Sequence, residues 1–225
     1  MKITVSEMLQ QTHPGACVGV LALQNTFNLA SHPALAQQRA ALEVELRQRH
    51  AGQSRADLKA LPAMAAYVGY YKKFKKTYHV LLQLESVVFK EQPIPAAGVL
   101  IEAMFMAELN DGLLTAGHDM DTVEAPLDIR ASIDGEPFMR MNGQPQPLKG
   151  NDIIMADARS VICSINYGSD QRTRIHAGTK NVLYVTYAPP GITAAAVAVH
   201  QDRILDIVRT PSPGVQVAHQ QVYGP

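Results

Sequence analysis

Between residues 32 and 186 the periodicity of the chain changes once, at Asn110-Asp111-Gly112, and that change limits the fold more than any other feature. Before it, apolar residues recur at helical spacing; in 97–109, for example, Leu100, Met104 and Ala107 share a stripe. After it they alternate, or run in short apolar blocks between turn pairs. The helical part opens at His32-Pro33-Ala34 and runs to about residue 49, is broken by Ala51-Gly52-Gln53-Ser54, and resumes over 61–74 and 78–88. Pro93-Ile94-Pro95 then forces an extended connection, because proline disfavours helix in the residue before it. Strands are predicted at 2–5, 16–23, 127–131, 138–141, 153–156, 161–165 and 182–186, with Asp134-Gly135 and Asn142-Gly143 as turns. A closing helix covers 192–208. The Pro-, Gly- and Gln-rich residues 211–225 read as an irregular tail. With no repeat and no long linker, the expectation is one compact α+β (mixed α/β) body.

Charge sharpens this picture. The 20 Lys+Arg and 20 Asp+Glu of the 225 residues cancel, which argues against a surface that is basic all over, as nucleic-acid clamps tend to be. Divided by segment, residues 31–90 hold ten bases and four acids, and residues 91–225 hold nine bases and fifteen acids. Within 91–136 there are ten acids and one base. The chain is therefore expected to be dipolar, with any contact to phosphate coming from its basic part.

Two cysteines, Cys17 and Cys163, are too few for a disulfide framework, and each sits in an apolar run. They read as small buried hydrophobes in a reducing compartment. No apolar stretch reaches the length of a membrane span, since 98–107 already contains Glu102. The N-terminal residues lack the pattern of a secretion signal. A cytoplasmic protein with no membrane contact is the expectation.

Three constellations could carry chemistry. Gly117-His118-Asp119-Met120-Asp121, with Glu102 and Glu108 upstream, could supply a general base or ligate a cation. The plainer reading is a turn whose carboxylates bond turn amides. No second histidine or cysteine pair completes a ligand set, so neither a metal nor a cofactor is called for. Lys72, Lys73, Lys75 and Lys76, interleaved with aromatics such as Tyr71 and Phe74, could engage RNA phosphates, or could simply be a solvated helix end. The segment from Ser164 to Arg174, followed by Thr179-Lys180-Asn181, is polar and flexible after a buried strand. There Arg172 and Arg174 could grip a phosphate or carboxylate.

Taken in order, Tyr71-Lys72-Lys73-Phe74, Pro93-Ile94-Pro95, Gly117 to Asp121, Asp157 to Cys163, Asp170 to Ile175 and Thr179 to Leu183 give a pattern that resembles a known module. It is the B3/B4 module of the bacterial phenylalanyl-tRNA synthetase beta subunit, and more closely the free-standing proteins built of little else. The resemblance covers roughly residues 15–190. It implies a single layered B3/B4-like domain over 1–210, with interleaved subparts, a β-sandwich-like sheet region and flanking helices. It also implies a cleft between the subparts that binds tRNA or aminoacyl-tRNA and hydrolyses mischarged aminoacyl-tRNA. In the family that editing leans on a histidine and a glutamate, and here those two positions are Ala116 and Val185. His118, two positions on, and Glu102, on the helix forming one wall of the cleft, are the substitutes. Asp119, Asp121, Asn166, Arg172, Thr173, Arg174 and Asn181 are the expected substrate-binding set. The alternative is a non-catalytic module for an amino-acid-like small molecule, with an arginine on its carboxylate and Asp119 or Asp121 on its ammonium. The sequence leaves the oligomeric state open.

Overall fold

The computed structural model describes residues 1–224, and their order of elements follows the change of periodicity. β1 (Ile3–Val5) and the short helix α1 (Glu7–Thr12) precede β2 (Cys17–Gln24). Five helices follow without an intervening strand: α2 (Pro33–Arg49), α3 (Arg55–Ala60), α4 (Pro62–Lys73), α5 (His79–Phe89) and α6 (Val99–Asp111). The strand-rich half is β3 (Leu114–Asp119), β4 (Leu127–Ala131), β5 (Pro137–Met139), β6 (Pro145–Pro147), β7 (Ile153–Ala156), β8 (Val161–Ser164), β9 (Gly168–Ser169) and β10 (Val182–Ala188). Helix α7 (Ala194–Arg209) and strand β11 (Gln216–Tyr223) end the described chain.

Local chemistry sets these boundaries. Pro33 and Pro62 stand at the first turn of α2 and α4, where a missing N–H costs nothing. Ser54 and Asp57 form a reciprocal capping box on α3. Gly112 ends α6 in the left-handed conformation, with φ of 71°. Thr193 caps α7 by accepting the N–H of Ala196.

The strands form a four-stranded sheet in the order β11-β2-β10-β3 and a five-stranded sheet in the order β1-β4-β7-β8-β9, with β5 and β6 as a separate hairpin. One apolar core joins both sheets to the helices, from Leu35 and Leu84 through Val20 and Val185 to Ile129 and Ile162. α7 lies directly on β2 because position 19 is glycine. A Cβ there would stand 2.5 Å from Val197 Cγ1 and 2.6 Å from Gln201 Nε2. Both cysteines are buried and free.

Two expectations need correcting. Residues 216–223 are not an irregular tail: they pair along β2 from Gln216 opposite Gln24 to Tyr223 opposite Val18, with a bulge between Val217 and His219. The backbone of β2 needs a partner on that edge, and Val222 and Tyr223 pack against the core. Both faces of this strand are otherwise mostly exposed, so its sequence lacks the alternation that marks a half-buried strand. Residues 117–119 are likewise not a loop but the end of β3, and only Met120–Thr122 turns.

Candidate functional site

β3 is an edge strand, and its outer edge borders a cavity of about 340 Å³. α6 walls one side with Ile101, Met104 and Phe105; Ile165, at the end of β8, and Ile175 line the other. α6 and β3 are consecutive in the chain, but the opposite wall comes from residues 163–175, so the cavity exists only because the helical half and the strand half close on one another. Its surface is largely apolar, with a few polar groups converging on it, as small-ligand sites commonly have.

The first of these groups is Glu108. It projects from α6 into the cavity wall, is 1% exposed, and accepts the Thr115 N–H at 2.8 Å through Oε1. Burial pushes its carboxyl up to about 8, the Thr115 bond offsetting this only in part. Near neutral pH it is therefore mainly a protonated acid, an O–H donor in an apolar wall. The edge of β3 supplies the second group. Thr115 N–H turns outward to Glu108, Asp119 N–H donates outward to Thr173 O at 2.6 Å, and Gly117 O accepts from Ser169 Oγ at 3.2 Å. The alternation of an antiparallel strand turns the Gly117 N–H the same way, toward the cavity that Gly117 lines. The third group is the Tyr187 hydroxyl, which is buried in the lining with only the Cys163 thiol beside it and no nitrogen or oxygen partner among the described residues. Burial pushes the Cys163 thiol well up, so it is a neutral lining group rather than a nucleophile.

The residues singled out by sequence occupy other places. His118 is fully buried, bonds Thr173 Oγ1 through Nδ1 at 2.7 Å, leaves Nε2 without a partner, and does not line the cavity. Burial lowers its proton affinity to about 3, so it is neutral at ordinary pH. Glu102 leaves α6 on another side, where it pairs with Arg39 of α2 at 2.8 Å. Asp119, Asp121 and Asn181 form a hub that fastens β3 to the loop before β10. Asp119 Oδ2 accepts from Thr179 Oγ1 at 2.9 Å and faces His176 Nε2 at 2.7 Å, while Asn181 Nδ2 reaches both oxygens of Asp121 at 2.9 and 3.1 Å. Thr173 bonds Asp170, and Arg172 clasps Asp157 and the Thr122 carbonyl, both at 2.6 Å. Asn166 Nδ2 donates to Asp152 at 2.7 Å, and exposed Arg174 reaches the Met141 carbonyl at 3.4 Å. These side chains hold one another in place around the cavity's far wall, and none lines it.

Lys72, Lys73 and Lys75 are exposed at the end of α4. Lys76 folds back, donating to Asn166 O at 2.6 Å with Nζ 3.3 Å from the centre of the Tyr167 ring. This brings the lysine run to the cavity rim, because Ile165 and Gly168, on either side of that pair, both line the cavity. Of the ten acids of 91–136, five are matched by four arginines, three of them from outside the segment. Arg39 holds Glu102, Arg203 holds Asp111, Arg159 approaches Glu124, and Arg130 serves Asp128 and Glu136.

Among curated proteins none matches this chain. Of solved structures, an N-terminal fragment of the phenylalanyl-tRNA synthetase beta subunit from Pyrococcus horikoshii is similar over 100% of this chain and 54% of its own, at 12% identity and a TM-score of 0.53. The chain thus spans about half the length of that structure, and at this identity the likeness is one of fold. A family model, the B3/4 domain, matches residues 65–203, which contain the whole cavity wall from α6 to β10. The chain belongs to the B3/4-domain family.

Proposed function

We propose that this protein binds the aminoacyl end of a charged tRNA, seating an apolar amino-acid side chain in the cavity, and hydrolyses the ester that joins it to the RNA. The observation that carries this reading is the continuity of the apolar cavity with the lysine-bearing end of α4. A ligand with an apolar group on a phosphate-bearing carrier matches both parts at once. For the chemistry, the Gly117 amide is placed to stabilise charge on the ester oxygen, and Glu108 is the ionisable group in position to take a proton from water. The carboxylate form is the base, so hydrolysis rises with pH toward a plateau above about 8.

One observation favours a second reading, a binding module without catalysis. The family's editing histidine and glutamate positions are Ala116 and Val185 here, and neither side chain can move a proton. A panel of aminoacyl-tRNAs tested for deacylation, run beside a thermal-shift panel of free amino acids, separates the two. Deacylation abolished by Glu108→Gln supports the first. Stabilisation by free amino acids with no deacylation of any charged tRNA overturns it in favour of the second.

A further inference from the structure

The lysine run is only part of the cationic surface at the cavity rim. Tyr167 stands at its centre, half-buried, with Lys76 Nζ 3.3 Å and the Arg140 guanidinium carbon 5.9 Å from its ring centre. Arg140 comes from the turn between β5 and β6 and directly precedes Met141, which lines the cavity. Lys149 joins from the segment after β6. Its carbonyl accepts from Ser132 Oγ, and its side chain is exposed and adds a like charge to that of Lys76. Among the described residues no carboxylate pairs with Lys73, Arg140 or Lys149. Asp152, which acts on Lys76, is 1% exposed and taken up by Tyr70, Ser164 and Asn166, and Asp170, bridged to Arg140 through the backbone, is buried and taken up by Thr173.

Resting on the reading above, we propose that Lys76 and Arg140, gathered around Tyr167, with Lys149 as an outlying third cation, form the station that grips the phosphodiester backbone of the RNA end whose aminoacyl group enters the cavity. Three features favour an anion there. Lys76 and Arg140 come from separate segments and converge on Tyr167 at the rim, whereas a solvated helix end would present its cations from one. Lys76 is already pinned by the Asn166 carbonyl and the Tyr167 face, so little side-chain freedom remains to be lost on binding. Its burial, together with the like charges of Arg140 and Lys149, lowers its proton affinity to about 8, an unfavourable crowding that a bound phosphate would relieve. Tyr167 has one face under Lys76, so its role is to hold the cation rather than to stack a base.

The test is fluorescence anisotropy with an uncharged acceptor-stem minihelix ending in CCA, titrated between 25 and 200 mM KCl. Arg140→Ala/Lys149→Ala is expected to bind at least about tenfold more weakly at the low-salt end, with the slope of log affinity against log salt shallower by about two. Arg140→Lys should restore most of the loss from Arg140→Ala, and the melting temperatures of all variants should stay close to wild type. A double variant that binds with wild-type affinity and slope, while the wild type binds well, overturns this proposal alone. A wild type that fails to bind the minihelix at 25 mM KCl overturns the RNA reading itself. Binding to phosphatidylserine vesicles that depends on Arg140 and Lys149, without minihelix binding, reassigns the surface to a membrane and likewise overturns it.

Discussion

Ala116 on β3 and Val185 on β10 are register partners in the antiparallel ladder, so their side chains leave the same face of the sheet next to one another. The two positions that the resemblance assigns to an editing histidine and glutamate are therefore one site in space, and both side chains are apolar here. Ala116 lines the cavity, while Val185 is completely buried. Ala116→His should put an imidazole into the cavity wall and raise deacylation by about tenfold or more, a modest share of what a positioned general base contributes. Val185→Glu should instead destabilise the fold by roughly 3 kcal/mol or more, since a carboxyl would enter the core without a partner. Deacylation rates and urea melts of the two variants check both outcomes.

Glu108 gives a pH dependence with a definite sign. Its folded proton affinity, near 8, lies above the ordinary 4.5, so between those values the folded protein holds a proton that the unfolded chain has released. Stability from this group accordingly falls as pH rises through that window, at up to about 1.4 kcal/mol per pH unit. Glu108→Gln keeps the shape and an acceptor for the Thr115 N–H but does not titrate. It should flatten the decline between pH 6.5 and 8, and chemical denaturation across that range would show it. An unchanged slope would mean that Glu108 is ionised in the folded state.

His118 acts in the opposite direction. Its affinity is lowered from 6.5 to about 3, so below 6.5 the unfolded chain takes up a proton that the folded protein refuses, and stability falls as the solution becomes more acid. From 4.5 to 6.5 this opposes the Glu108 effect. His118→Gln should lessen the loss of stability on acidification below 6.5 while leaving deacylation at neutral pH within about twofold, because His118 does not line the cavity. A large loss of activity with unaltered pH–stability behaviour would return His118 to the chemistry.

Gly19 offers a packing test far from the site. Gly19→Ala forces its new methyl group against Val197 and Gln201 of α7, and should cost about 1–3 kcal/mol, seen as a fall of several degrees in Tm. Gly117→Ala meets mainly Ile175 Cδ1, at 2.6 Å, the movable end of a side chain. It should cost less stability but push Ile175 into the cavity and weaken ligand binding.

Much of the scaffold is legible in the sequence because its punctuation is local. Pro33, Pro62, Gly112 and the Asn142-Gly143 turn each act within a few residues, and the elements begin and end near them. The site is legible only in part because its groups are made relevant by distant contacts. Glu108 looks like any helix carboxylate until β3 arrives beside it, and the polar texture of His118 and Asp119 suggests a solvent-facing turn. Their partners, Thr173, His176 and Thr179, lie more than fifty residues further on. The resemblance points to α6 and β3, both of which line the cavity. It does not point to Glu108, the buried carboxyl that α6 places in the wall.

The order β11-β2-β10-β3 has a consequence for the making of the protein. β2 is complete at Gln24, yet its two neighbours are β10, beginning at Val182, and β11, beginning at Gln216. During synthesis an apolar eight-residue strand emerges from the ribosome and waits for roughly 160 residues before its first partner exists, about 8–30 s at ordinary elongation rates. Throughout that interval the nascent chain presents Val18, Val20, Leu21 and Leu23 with both strand edges open, the segment most prone to mispairing and the one a chaperone would hold.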